Sequence, residues 1–272
     1  MHPEIFHIGS VTIRSYGALL ALSFVLGVWY VYAVSKGTEL NFSRILILSY
    51  IMILGGVFGA RLFYILFHLE EFSGHWLDTI NPFQSDQFGI AGLNMYGGVI
   101  TGLLLALYYM KRTGLKILRT LDFFAPTIGL GLIFTRIGCF LNGCCFGTPT
   151  NSFLGVTFPV GSTPWFVFGS IPIHPAQLYS SFYGLILFLF LHWKLKRKRF
   201  DGEIIAWLLI LEACFRFAVE YVRYYEPDMI VNIFGIEATW NQIMAIFMII
   251  GGIVLYLVQR SRYLSSRKSS ET

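Results

Sequence analysis

Residues 134–147, Phe-Thr-Arg-Ile-Gly-Cys-Phe-Leu-Asn-Gly-Cys-Cys-Phe-Gly, gather unusual chemistry into one short stretch. Arg136 lies near the end of a long apolar run, where a guanidinium costs several kcal/mol unless it has a task. Beside it stand the amide of Asn142, the thiols of Cys139, Cys144 and Cys145, and Gly138, Gly143 and Gly147. The glycines permit backbone geometry that other residues resist. A second group is Arg216, Glu220 and Arg223, whose spacings of four and three put all three on one helical face. Two arginines around a carboxylate leave positive charge over, and Arg136 adds to it. An excess of guanidinium near lipid headgroups suits a phosphate, which Arg grips through two parallel hydrogen bonds. A structural ion-pair network and an arginine snorkelling to the interface are the plainer readings.

Other polar residues sit at the ends of apolar runs. His174-Pro175-Ala176-Gln177-Leu178-Tyr179 opens one run, and Pro175 fits a first helical turn. His174 is open to three roles: cap, base or headgroup contact. Met95-Tyr96-Gly97-Gly98 opens another, where paired glycines allow close helix approach. Tyr16 and Tyr96 both suit an aromatic belt as well as a site. For the cysteines, packing, a disulfide joining Cys139 to Cys144 or Cys145, and an activated thiol near Arg136 all stay open. No metal is expected, because the turn has no flanking histidine or second cysteine pair to complete a site. No cofactor motif is present. Cys214, in the middle of a run, reads as packing.

Only 13% of the 272 residues are charged and 56% are hydrophobic. A soluble domain carries about twice that charged share. The apolar residues form runs of about 20, the length of a membrane-spanning helix. These are 16–35, 45–67, 93–110, 121–141, 175–193, 203–222 and 240–258. Since lipid leaves no water for unpaired backbone groups, the expected fold is an all-α polytopic membrane protein with seven transmembrane helices in a single domain. The start has no basic n-region, so no cleavable signal peptide is expected.

Basic residues set the orientation. Lys36 and Arg44, then Lys111, Arg112, Lys116 and Arg119, fall on one side of the membrane. So do Lys194, Lys196, Arg197, Lys198 and Arg199, and the tail residues Arg260, Arg262, Arg267 and Lys268. The opposite loops carry Glu70, Glu71, Asp78, Asp86, Glu226, Asp228 and Glu237. The N-terminus is therefore expected outside and the C-terminus in the cytoplasm. At about 1.5 Å per residue, Arg61, Arg136 and Arg216 all reach the outer half of the bilayer. Arg14, Tyr16, Tyr96, Gln177 and Gln242 belong to the same level. Basic charge thus marks the membrane and implies no nucleic acid.

These motifs resemble the prolipoprotein diacylglyceryl transferase family along nearly the whole chain. The resemblance runs through Ser15-Tyr16-Gly17, Gly59-Ala60-Arg61, Tyr96-Gly97-Gly98 and the stretch from Arg136 to Gly147. It continues through His174 to Tyr179, Phe215-Arg216 to Arg223, and Asn241-Gln242. It implies a multi-pass enzyme of the bacterial cytoplasmic (inner) membrane. The implied reaction moves a diacylglyceryl group from phosphatidylglycerol to the lipobox cysteine of a prolipoprotein signal peptide, releasing glycerol phosphate. By the same resemblance Arg136 contacts the phosphate with Asn142 and Gly147, while Arg61, His174, Gln177 and Arg223 line the phospholipid site. Arg216 and Glu220 bind the headgroup and gate the site, and Tyr16 and Tyr96 stand at catalytic positions. Three positions depart from the family pattern: Tyr96 stands for a histidine, Cys139 for an asparagine and Cys144 for a glutamate. A related transferase with another acceptor, and a lipid transporter, are the alternatives these departures leave. A transporter would more often show inverted repeats, and none is visible. Accessibility labelling of single cysteines placed at 199 and 268 should report the cytoplasm, and at 78 the exterior; the reverse pattern would invert the expected orientation.

Overall fold

A computed structural model of the chain describes residues 4–8, 11–72, 94–225, 230–233 and 236–271. Eight α-helices run through the described residues: α1 Ser15–Val34, α2 Phe42–Phe67, α3 Met95–Arg112, α4 Ile117–Asn142, α5 Thr163–Phe168, α6 Ala176–Leu195, α7 Glu203–Val219 and α8 Trp240–Glu271. Strands β1 Glu4–Ile8 and β2 Val11–Arg14 form one antiparallel hairpin, and β3 Ile230–Ile233 and β4 Ile236–Thr239 form another. The expected outer-loop acids Asp78, Asp86, Glu226 and Asp228 lie outside the described residues.

Every expected span is helical. Among the described residues five helices, α1, α2, α4, α6 and α8, are long and apolar enough to cross a membrane. The other two are shorter or more charged: α3 has 18 residues and ends in Lys111 and Arg112, and α7 has 17 and carries Glu203, Glu212 and Arg216. The purely helical expectation also missed both hairpins, which are short and flank helix starts. Two ends differ from the apolar runs. One turn of 3-10 helix at Glu220–Val222 completes the expected sixth run, 203–222. Helix α8 runs on to Glu271 because no glycine or proline follows Gly252 to stop it.

The described residues fall into two compact units. One comprises Glu4–Arg14 and Val28–Thr120. Its helices α2 and α3 pack backbone to backbone: a Cβ on Gly59 would lie 2.6 Å from the Gly97 carbonyl oxygen. Small residues at such crossings let helices associate by close van der Waals contact where lipid offers no hydrophobic drive. Asn94 starts α3, accepting from the Gly97 amide at 3.0 Å while its own amide donates to the Ala60 carbonyl at 2.9 Å.

The other unit contains Ser15–Gly27 and Leu121–Thr272. Helix α4 crosses α6 closely at Gly129, where a Cβ would lie 2.8 Å from the Gly184 carbonyl oxygen. Near the starts of α4 and α7, Asp122 is fully buried and does the work of a helix cap from a distance. Its carboxylate accepts from the amides of Gly202 (2.8 Å), Ile204 (2.9 Å) and Ile205 (3.0 Å), and Lys198 Nζ lies 3.3 Å away. The amides at a helix start have no partner within the helix, and the helix dipole favours an anion there. Glu203 supports the same corner, pairing with Lys194 at 2.8 Å and accepting from the Arg199 amide. Replacing Asp122 with Ala strips three amides and a lysine of their shared partner. This variant should lose about 3 kcal/mol of stability, the scale for breaking a buried pair, with Asn much milder. Unfolding midpoints in detergent check this.

Candidate active site

Arg136 stands in the last two turns of α4, half-buried, and makes no hydrogen bond or ion pair among the described residues. Its helix ends in a Schellman motif. The Gly143 amide donates to the Phe140 carbonyl (3.3 Å) and the Cys144 amide to that of Cys139 (3.1 Å), with Gly143 at φ 75°. Asn142 is the last helical residue and is exposed. Tyr16 lies beside the same turn of α4, since a Cβ on Gly138 would sit 3.0 Å from the Tyr16 Cα.

After the turn the chain becomes a strap across two other segments. The Gly147 amide donates to the His174 carbonyl (3.0 Å), the His174 amide to Thr148 (2.9 Å) and the Thr148 amide to Val222 (3.0 Å). Gly147 is wedged so tightly that a Cβ would lie 2.5 Å from the His174 oxygen and 2.6 Å from that of Val222. Beneath the strap Phe146, Phe158 and Ile173 form a buried cluster, with Tyr224 stacked on Phe146 at 5.6 Å. Gln177, buried at the start of α6, holds the turn by donating to the Cys144 carbonyl at 2.8 Å. The His174 ring meets the Tyr179 hydroxyl at 3.1 Å. These contacts of His174 and Gln177 are internal ones.

Glu220 is the hub of the second group. Its carboxylate lies 3.3 Å from Arg216 Nε and 3.7 Å from an Arg223 nitrogen. It also accepts from the hydroxyls of Tyr225 and Thr239, each at 2.7 Å, and from Asn241 Nδ2 at 3.4 Å. Burial, joined by the bond to Glu220, pushes the Tyr225 phenol up to about 12, so it stays protonated and keeps donating. Thr239 does a second task. Its amide donates to Gln242 Oε1 (3.0 Å) and its hydroxyl accepts from the Gln242 amide (3.2 Å), a capping box that starts α8.

Sequence spacing had grouped Arg216, Glu220 and Arg223 but not Tyr225, Thr239 or Asn241. It also passed over Glu212, a half-buried carboxylate one turn before Arg216 and within electrostatic reach of Arg216 and Arg136. The signal was there, in the same four-residue interval. Glu212 narrows the charge excess: three guanidiniums face two carboxylates, so the balance stays positive by one. Of the expected site residues, Tyr16, Arg136, Asn142, Gly147, His174, Gln177, Arg216, Glu220 and Arg223 share one compact unit. Arg61 and Tyr96 belong to the other, where Tyr96 is 44% exposed and Arg61 lies over the Tyr64 ring. In the unit that holds Arg136, Phe153, Leu154, Leu178, Phe182, Tyr183 and Phe215 help line an apolar groove of about 700 Å³.

The family model described as prolipoprotein diacylglyceryl transferase matches residues 3–258. The chain belongs to the prolipoprotein diacylglyceryl transferase family. A relative from Clostridium tetani is 31% identical over 262 residues, covering 96% of this chain and 99% of its own. One from Vibrio vulnificus is 32% identical over 256 residues, covering 93% and 89%. One from Pseudoalteromonas translucida is 31% identical over 258 residues, covering 94% and 91%. Each of these is named phosphatidylglycerol–prolipoprotein diacylglyceryl transferase.

Cys139 and Cys144, two positions where the sequence reading expects a departure from the family pattern, are joined by the outer backbone hydrogen bond of the Schellman motif, with their sulfurs within 4.8 Å. Gly147 has no room for a side chain. A Gly147→Ala chain should fold with its strap displaced, losing at least tenfold in family activity and several degrees in unfolding midpoint; activity assays and thermal scans on purified protein check both.

Proposed function

We propose that this chain transfers the diacylglyceryl group of phosphatidylglycerol to the thiol of a prolipoprotein lipobox cysteine. It does so as a seven-span enzyme of the bacterial cytoplasmic membrane, with its N-terminus outside and its C-terminus in the cytoplasm. The observation that carries the reading is Arg136, a half-buried guanidinium without an ion-pair partner among the described residues, at the end of an apolar helix. Membership of the family supplies the reaction class.

The reaction needs little covalent chemistry from the protein. The cysteine sulfur forms a bond to the glycerol carbon, the bond from that carbon to the phosphate oxygen breaks, and the thiol gives up its proton. Glycerol phosphate leaves with one more negative charge than the phosphodiester had. A cation aimed at that phosphate therefore binds the transition state more tightly than the substrate. Arg136 takes this role, with Asn142 and Gly147 shaping the turn beside it. Arg216 and Arg223 hold the headgroup, and Glu220 keeps both arginines oriented instead of quenching them, since it also serves Tyr225, Thr239 and Asn241. Tyr16 borders the phosphate position from α1. His174 and Gln177 fix the strap and turn, and only the family resemblance assigns Tyr96 and Arg61 of the α2–α3 pair to the reaction. The apolar groove beside Phe182 and Phe215 suits an acyl chain.

Complementation tests the proposal. In a strain depleted of its own transferase, the wild-type chain should restore lipoprotein maturation, and an unrestored strain expressing the protein at normal level would refute the acceptor. Arg136→Lys in the same strain should lower transfer by roughly 10²-fold, because a point charge does not reproduce the planar fork. Wild-type turnover in that variant would remove Arg136 from the phosphate.

A further inference from the structure

We propose that Cys139, Cys144 and Cys145 form a binding site for a soft, thiophilic d10 metal ion, with monovalent copper the best match. Along the sequence these thiols had too few neighbours for a tetrahedral site. The fold changes this by folding the end of α4 back on itself, which leaves the three sulfurs within 4.8 Å of one another. An ion bound at about 2.3 Å from each of three sulfurs would place them about 4 Å apart, so closure needs only a small inward shift. All three are free thiols, and Cys139 is buried.

Two further observations point the same way. Cys145 has φ 60°, the one non-glycine described residue in that region. Side chains rarely accept this backbone, and strain of this kind collects at functional sites. Here it belongs to the residue that brings the third sulfur to the cluster. The surroundings also suit an anionic site, since the charges of Arg223 and Arg136 act on Cys145.

The donor set selects the metal class. Three sulfurs with no histidine or carboxylate among them favour a soft ion in trigonal coordination over the harder divalent cations. Three thiolates around a monovalent ion carry a net charge of −2, which Arg136 and Arg223 offset. Binding displaces the thiol protons to solvent and requires no oxidant. The ion would tie the last turns of α4 to the start of the strap, fixing the turn whose Cys144 carbonyl holds Gln177. The proposal shares Arg136 and Arg223 with the transferase reading but rests on the three sulfurs, which that reading does not use.

The full-length protein, purified in detergent under anaerobic reducing conditions, would be titrated with Cu(I) buffered by bicinchoninate, and separately with Cd(II) as a spectroscopic probe. One ion per chain should survive desalting, with a sulfur-to-metal charge-transfer band in the ultraviolet. Alkylation followed by mass mapping should find Cys139, Cys144 and Cys145 protected and Cys214 modified. Cys145→Ser should weaken Cu(I) retention at least tenfold, and Cys214→Ser should leave it unchanged. The proposal is overturned if bicinchoninate strips copper equally from wild type and Cys145→Ser, or if Cd(II) gives no charge-transfer band. It is overturned equally if protein isolated without reductant carries a disulfide among these three cysteines. The alkylation pattern is read on wild-type protein, so it decides the matter even if a substituted chain fails to fold.

Discussion

A buried carboxylate with more donors than one helix can supply organises the reactive end of this protein. Glu220 sits just past α7, with a side chain closed off from solvent, and it draws partners from three places. Arg216 comes from its own helix, Arg223 and Tyr225 from the segment that follows, and Thr239 and Asn241 from the start of α8. Removing one partner from such a network leaves charge buried and unpaired, which costs more than the pair itself contributes. The network therefore fixes α7 and α8 relative to each other. It also keeps two guanidiniums pointed the same way without consuming them.

The strap depends on that arrangement in turn. Thr148 bonds to Val222, and Tyr224 bonds back to Phe146, so the segment carrying Arg223 and the segment leaving α4 share one set of hydrogen bonds. The close fit of Gly147 between His174 and Val222 turns this into a three-way junction of backbone. Arg136 stands eleven residues before Gly147. Its position is thus set by contacts to α6 and to the end of α7, although its own side chain makes none of them. A phosphate-binding arginine benefits from this, because a support that does not involve the guanidinium leaves it available to the ligand.

The parts of the fold that follow from local rules were readable from residue order. Apolar runs located the seven long helices among the described residues, and intervals of three and four put Arg216, Glu220 and Arg223 on one face. Glu212 obeys the same interval but looked ordinary inside an apolar run. Thr239 and Gln242 also have a local signature, Thr-x-x-Gln at a helix start, although Gln242 stands out first as a polar residue at the outer level and as part of the family resemblance. Other features had no local mark. The tie from Gln177 to Cys144 spans 33 residues and that from Thr239 to Glu220 spans 19. No spacing rule reaches so far, since the partners meet only once helices have packed. The convergence of three sulfurs is intermediate: their closeness in sequence was plain, but the reversal of the chain at Gly143 decides that they face one another.

Asp122 raises a matter of timing. Its partners at Lys198, Gly202, Ile204 and Ile205 lie 76 to 83 residues further along the chain. At the usual pace of synthesis, about 5–20 residues per second, the ribosome needs roughly 4–16 s to deliver them. Throughout that interval the Asp122 carboxylate is without these four partners. A carboxylate at mid-membrane depth would be a serious burden for a helix left waiting. Asp122 is instead the sixth residue of α4, about 8 Å from its start, where headgroup water is within reach. The position of one acid along its helix thus suits a chain that must be inserted piece by piece, and α7 locks against α4 only when the last piece arrives.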